Sequence, residues 1–109
     1  MSDTKNIFID LAIKHGEAIE SGDYKLANKI HTKLTSTYQE IKRDNKWQEL
    51  KEITQHLNEN VKLWSATFLL NYDTDTALKV LNEVSKSNKI FGLSASTTID
   101  MWNKGMLQL

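Results

Sequence analysis

Glu49-Leu50-Lys51-Glu52-Ile53-Thr54-Gln55-His56 aligns with Ala77-Leu78-Lys79-Val80-Leu81-Asn82-Glu83-Val84, and Leu63-Trp64-Ser65-Ala66-Thr67-Phe68-Leu69-Leu70 aligns with Gly92-Leu93-Ser94-Ala95-Ser96-Thr97-Thr98-Ile99. The offset is 28 residues in the first pair and 29 in the second, a change that one insertion in the connecting turn accounts for. A repeat of about this length, built from two short helices, is the pattern of a stacked α-solenoid. Such units cannot bury an apolar face alone, so they stack on one another. The expected fold is therefore all-α, an α-α superhelix of about three helical hairpins. The repeat names an architecture and no reaction.

The flanking sequence extends the same period. Proline is absent, and the four glycines are Gly16, Gly22, Gly92 and Gly105. Apolar residues recur at helical spacing and nowhere alternate with period two. Helix one is expected from Thr4 to Ser21, with Phe8, Leu11, Ala12, His15 and Ile19 on its apolar stripe. Ser21-Gly22-Asp23 reads as a stop and a restart, with a left-handed glycine and an aspartate cap. Helix two follows from Tyr24 to Arg43, its stripe carried by Ala27, Ile30, Leu34, Tyr38 and Ile41. Asn45 and Gln48 resemble a capping box for helix three, which carries Trp47, Leu50, Ile53 and Leu57. Asn58-Glu59-Asn60 turns the chain into helix four, Val61 to Asn71, apolar on nearly all sides and so expected at the centre. Helix five is expected from Thr76 to Ser85 after the capping acids Asp73 and Asp75, and helix six from Leu93 to Lys104. The apolar tail Met106, Leu107 and Leu109 is expected to pack.

Composition limits the functions open to this chain. At 109 residues, one domain spanning residues 1–109 is expected, with a single modest core. Basic and acidic residues number fourteen each, nine against nine through Gln55 and five against five beyond it. A neutral chain has no global field to draw in DNA, RNA or an anionic membrane. Cysteine is absent, which removes disulfides, thiolate metal sites and cysteine nucleophiles. From Met1-Ser2-Asp3 onward no apolar run reaches signal-peptide or membrane-span length, so the expected location is the cytoplasm.

Val61-Lys62-Leu63-Trp64-Ser65-Ala66-Thr67-Phe68-Leu69-Leu70 resembles the second helix of a HEAT repeat, with Lys62 in place of its arginine and Ser65-Ala66 in place of its alanine pair. The longer run through Asp73, Ala77-Leu78, Val80-Leu81, Gly92-Leu93-Ser94-Ala95 and Trp102-Asn103-Lys104-Gly105 is similar to the bacterial domain-of-unknown-function 2019 family. Gly22-Asp23-Tyr24-Lys25, with Ala27-Asn28-Lys29 beyond it, resembles short bacterial helical proteins proposed as immunity partners of polymorphic toxins. These resemblances imply a HEAT-like solenoid and a protein partner, possible toxin domains included. They supply no catalytic residues, and their positions are mostly core positions.

His15, His31 and His56 fall on three different predicted helices with no HxxxH or HExxH pairing, so metal binding, which needs converging ligands, is not expected. His15 lies on an apolar stripe and could make stability depend on pH. Asp10, Glu17 and Glu20 form an acidic edge that reads as a solvated face. Lys25, Lys29 and Lys33 form a ridge at four-residue spacing; it could touch phosphates, but zero net charge and a single arginine argue against a nucleic-acid footprint. Trp64 is expected in the core, and Trp47 and Trp102 nearer helix ends. No phosphate loop, GxSxG elbow or kinase signature is present. The expectation is a non-enzymatic protein-binding module without cofactor or metal. A solenoid's second helices build its concave face. The exposed partner-binding positions expected there are Lys25, Lys29, Lys33, Lys62, Ser65, Thr97, Asp100 and Trp102.

Overall fold

The computed structural model describes residues 3–109; Met1 and Ser2, which open the leader-free reading above, lie outside them. Six helices follow in order: α1 Asp3–Ser21, α2 Tyr24–Arg43, α3 Trp47–Ile53, α4 Glu59–Leu69, α5 Thr74–Ser85 and α6 Ile90–Asn103. No strand occurs among the described residues. The all-α expectation holds, and α1/α2, α3/α4 and α5/α6 form the three hairpins. One apolar cluster draws on all six helices, from Phe8 and Ala12 through Leu34, Leu50 and Leu81 to Ala95. No helix is long and apolar enough to cross a membrane among the described residues.

The turns show why the helices stop where they do. Gly22, Asn45 and Gly105 take positive φ at 79°, 56° and 69°. Each closes a helix by the same paired bonds. After α2, the Lys46 N–H donates to Ile41 O at 2.9 Å and the Asn45 N–H to Lys42 O at 3.3 Å. Asn45 is thus the left-handed terminator of α2, which asparagine tolerates, and not the cap of α3. The cap position of α3 is Lys46, whose side chain makes no capping bond. Asp23 and Asp73 do cap, accepting from the N–H groups of Leu26 and Thr76, both at 3.2 Å.

The repeat is less regular than the alignment suggests. α3 has 7 residues and α5 has 12, so the length difference lies in the first helix and not only in the turn. Thr54, Gln55 and His56 match helical residues of α5 but form a turn. Side chains cause the early stop. His56 Nδ1 accepts from the Asn58 N–H at 3.0 Å, and Asn58 Oδ1 accepts from the N–H groups of Asn60 and Val61 at 2.9 and 3.1 Å. Asn58 therefore starts α4 two residues before its apolar run, and Leu57 is left 92% exposed.

α4 sits centrally, packed against α1, α3, α5 and α6. Hydroxyls inside it bond back along the helix, Ser65 to Val61 O at 2.7 Å and Thr67 to Leu63 O at 2.6 Å. That satisfaction lets polar residues occupy buried sites. On its α2 side Phe68 stacks on Tyr38 with centroids 4.3 Å apart, and Phe8 meets Phe68 edge-on at 6.1 Å. The tail does pack in part: Leu107 and Leu109 lie against the core, while Met106 is exposed.

Candidate functional site

A groove runs along one face of the molecule. α4 is its floor, through Leu63, Trp64 and Thr67; α2 supplies one wall through Asn28 and His31, and α6 the other through Ser94, Thr97 and Thr98. This is the face built by the second helices of the three hairpins. Its main pocket has a volume of about 570 Å³ and is closed at depth by His15, Ile19, Asn60 and Phe91. A second hollow continues along α2 past Thr35, Tyr38 and Gln39 and ends against Leu107 and Leu109 of the tail.

The histidines were expected to stay apart, but His15 and His31 meet in this pocket. Their ring centroids are 6.1 Å apart, and both rings meet Trp64 edge-on, at 5.6 Å for His15 and 4.9 Å for His31. They meet because α1 and α2 pair as a hairpin beside Trp64 of α4, and because of the close approach of α1 to α4. Gly16 permits it: a Cβ there would lie 3.0 Å from the Cβ of Asn60. Asn60 reaches across that gap. Its Nδ2 donates to Ala12 O at 2.7 Å and lies 3.0 Å from His15 Nδ1. A carbonyl oxygen only accepts, so the amide nitrogen must face Ala12, and its second hydrogen then points at His15. His15 Nδ1 is thereby an acceptor, and the neutral ring carries its proton on Nε2. His56 remains apart, in the turn before α4. Among the described residues no group of three or more His, Asp or Glu side chains converges as a metal site would require.

The electrostatics agree with this geometry. Burial, with a smaller contribution from His31, holds His15 below the ordinary histidine pKa of 6.5. Protonation would also set an N–H against the Asn60 amide. The folded state thus favours neutral His15, so its contribution to stability is complete above about pH 6.5 and is lost as pH falls through the lower folded value. A series of urea melts should show stability declining on acidification from about pH 7 to about pH 5, with His15→Gln flattening that decline. An unchanged slope in the variant would remove His15 as the cause. Asp73, held low by Lys51 and Thr76, titrates in a separate window below the ordinary 3.8.

Few of the expected partner-binding residues lie together on this face. Thr97 lines the groove. Ser65 is fully buried, its hydroxyl turned back into α4, so the expectation of an exposed Ser65 fails. Lys62 leans toward α5 and pairs with Glu83 at 3.7 Å. Asp100 is exposed but pairs with Lys104 at 2.9 Å, and Trp102 packs partly against the core. Lys25, Lys29 and Lys33 are exposed, roughly a third of a turn around α2 from Asn28 and His31, and so look away from the groove. Lys33 instead borders a cleft between α1 and α2 beside Leu11, Ala18 and Leu26. Trp64, expected in the core, is only half-buried and forms groove surface; Trp47 stacks on Tyr72 at 4.9 Å.

No family model matches the chain. No curated protein matches it either. Among solved structures it is similar to the crystal structure of the protein RPA1889 from Rhodopseudomonas palustris CGA009, with a TM-score of 0.86 and 17% identity over 98% of this chain and 91% of that one. At that identity the likeness establishes a shared all-α hairpin fold and nothing about activity.

Proposed function

We propose that this protein is a non-enzymatic protein-binding module of the bacterial cytoplasm, one that receives a partner along the α2–α4–α6 groove. The observation that carries the reading is the groove itself: a long concavity floored by the most deeply packed helix. Ile90 and Leu93 stand 45% and 70% exposed at its α6 edge. Exposed apolar side chains beside a concave, mixed-polarity surface are what partner anchors use. The resemblance to the domain-of-unknown-function 2019 family and to toxin-associated helical proteins favours an immunity protein or other toxin antagonist. Its mechanism would be steric, a rigid face covering the partner's working surface. A nucleic-acid reading through Lys25, Lys29 and Lys33 is less well supported. The ridge lies outside the groove, and the chain balances fourteen basic against fourteen acidic residues.

The test is capture from the native cell, identification of the captured protein, and reconstitution with purified components. Leu93→Glu combined with Thr97→Arg should reduce binding at least tenfold, since interface energy concentrates in few residues. Reversing charge at Lys25, Lys29 and Lys33 together should leave binding unchanged. If the lysine variant loses binding and the groove variant keeps it, the groove assignment is wrong. Recovery of nucleic acid that moderate salt releases would favour the phosphate-binding reading instead.

A further inference from the structure

At the deep end of the main pocket one ring donor is left over. Asn60 spends both amide hydrogens, on Ala12 O and on His15 Nδ1, so the Nε2–H of His15 is the group left to give. His15 is only 8% exposed, lines the pocket, and has no other hydrogen-bond partner within the protein. Ser94 and Thr97 add hydroxyls from the α6 wall. His15 Nε2 is not cut off from solvent as the Trp64 indole nitrogen is, so an occupant that accepts can reach it from the pocket.

The charges around the pocket narrow the class further. No Asp, Glu, Lys or Arg lines it. A cation would find no carboxylate, and an anion would find only the two imidazoles as groups able to carry positive charge. Glu17, Glu20, Glu59 and Lys89 belong to the neighbouring cleft on the far side of Asn60, where Lys89 pairs with Glu20 at 3.9 Å. The imidazoles of His15 and His31 are therefore the titratable groups facing an occupant. Most of the remaining surface is apolar, from Trp64, Phe91 and Leu63, and a volume near 570 Å³ falls in the range of about 300–1,000 Å³ typical of small-molecule pockets.

We propose that this pocket binds a small organic acid, a flat apolar ring carrying one carboxylate, with the ring against Trp64 and Phe91 and the carboxylate on His15 Nε2–H and the ring of His31. This goes beyond partner binding and does not depend on it. A carboxylate seated there favours protonation of the imidazoles, so binding takes up a proton and strengthens as pH falls.

The probes are 2-naphthoate and its uncharged analogue 2-naphthamide, titrated calorimetrically into the full chain at about pH 7.5 and about pH 5.5, with circular dichroism confirming the fold at both. Naphthoate should bind one to one and tighten about tenfold at the lower pH, the effect of a shift of about one pKa unit. The amide should bind more weakly with no pH dependence. Histidine ring signals of His15 and His31 should move on addition of naphthoate. His31→Gln, at a half-buried position, should keep the fold and lose most of the tightening; His15→Gln should do the same if it folds. Absence of saturable naphthoate binding, equal binding of acid and amide, or full pH dependence in His31→Gln would each overturn the proposal. None of these outcomes bears on the capture experiment, which tests the partner-binding reading separately.

Discussion

Leu69→Ala and Leu70→Ala should each lower the unfolding free energy by about 2–5 kcal/mol, as deletion of three buried carbons with incomplete collapse does. Both side chains are fully buried at the end of α4. α4 is the helix that the others pack around, touching α1, α3, α5 and α6, so no single neighbour can relax into the space. The loss is large beside the roughly 5–15 kcal/mol that a domain of this size has available. Leu57→Ala is the internal control: the same chemical change at a side chain 92% exposed should stay within about 0.5 kcal/mol. Urea melts of the three variants decide the matter. If the two α4 variants share the midpoint of Leu57→Ala, α4 is not the centre of the core.

The legible parts of this fold were those written in periodicity. α2 runs between the residues expected, because its stripe, the left-handed Gly22 and the Asp23 cap all mark the same ends. α3 was misjudged because its stop is made by side chain to backbone bonds from His56 and Asn58, which leave no mark on hydrophobic spacing. The site was harder. His15 and His31 are sixteen positions apart on different helices, and only the packing of α1 and α2 over α4 brings them together. One signal was present. Gly16 sits mid-helix with no capping role, which implies that something approaches closely there, and the residue beside it is His15. The lysine ridge shows the opposite problem: four-residue spacing defines a face of α2 but not the direction in which the folded protein points it. Ser65 failed for a related reason, since a helix hydroxyl that bonds to the carbonyl four residues back can be buried without cost to its hydrogen bonding.

Gly92→Ala sets two effects against each other, and packing should win. Gly92 lies in the first turn of α6, where replacing glycine by alanine ordinarily gains helix propensity, by less than the roughly 1 kcal/mol of a helix interior. Here an added Cβ would collide with the carbonyl of Ser87 and sit 3.3 Å from the carbonyl oxygen of Ser85. These are backbone atoms of the turn from α5, and that turn is held at both ends. The Ser87 N–H donates to Val84 O at 2.9 Å, and Ser87 Oγ accepts from the Lys89 N–H at 3.1 Å. Moving the carbonyl away therefore strains or breaks bonds worth about 0.5–1.5 kcal/mol each, on top of an overpacking cost of about 1–3 kcal/mol. The expected net result is a loss of about 2 kcal/mol or more, opposite in sign to the propensity effect. Gly16→Ala is the comparison. Its Cβ would lie 3.0 Å from the Cβ of Asn60, whose side chain is held by Ala12 O and His15 Nδ1, so it too should destabilise, but by less than Gly92→Ala because the contact is longer than the one with the Ser87 carbonyl. Thermal melts of the two variants test both the sign and the order. A Gly92→Ala protein that melts above the parent would mean that the α5–α6 turn does not lie against α6 as described, and the α6 wall of the groove would have to be redrawn with it.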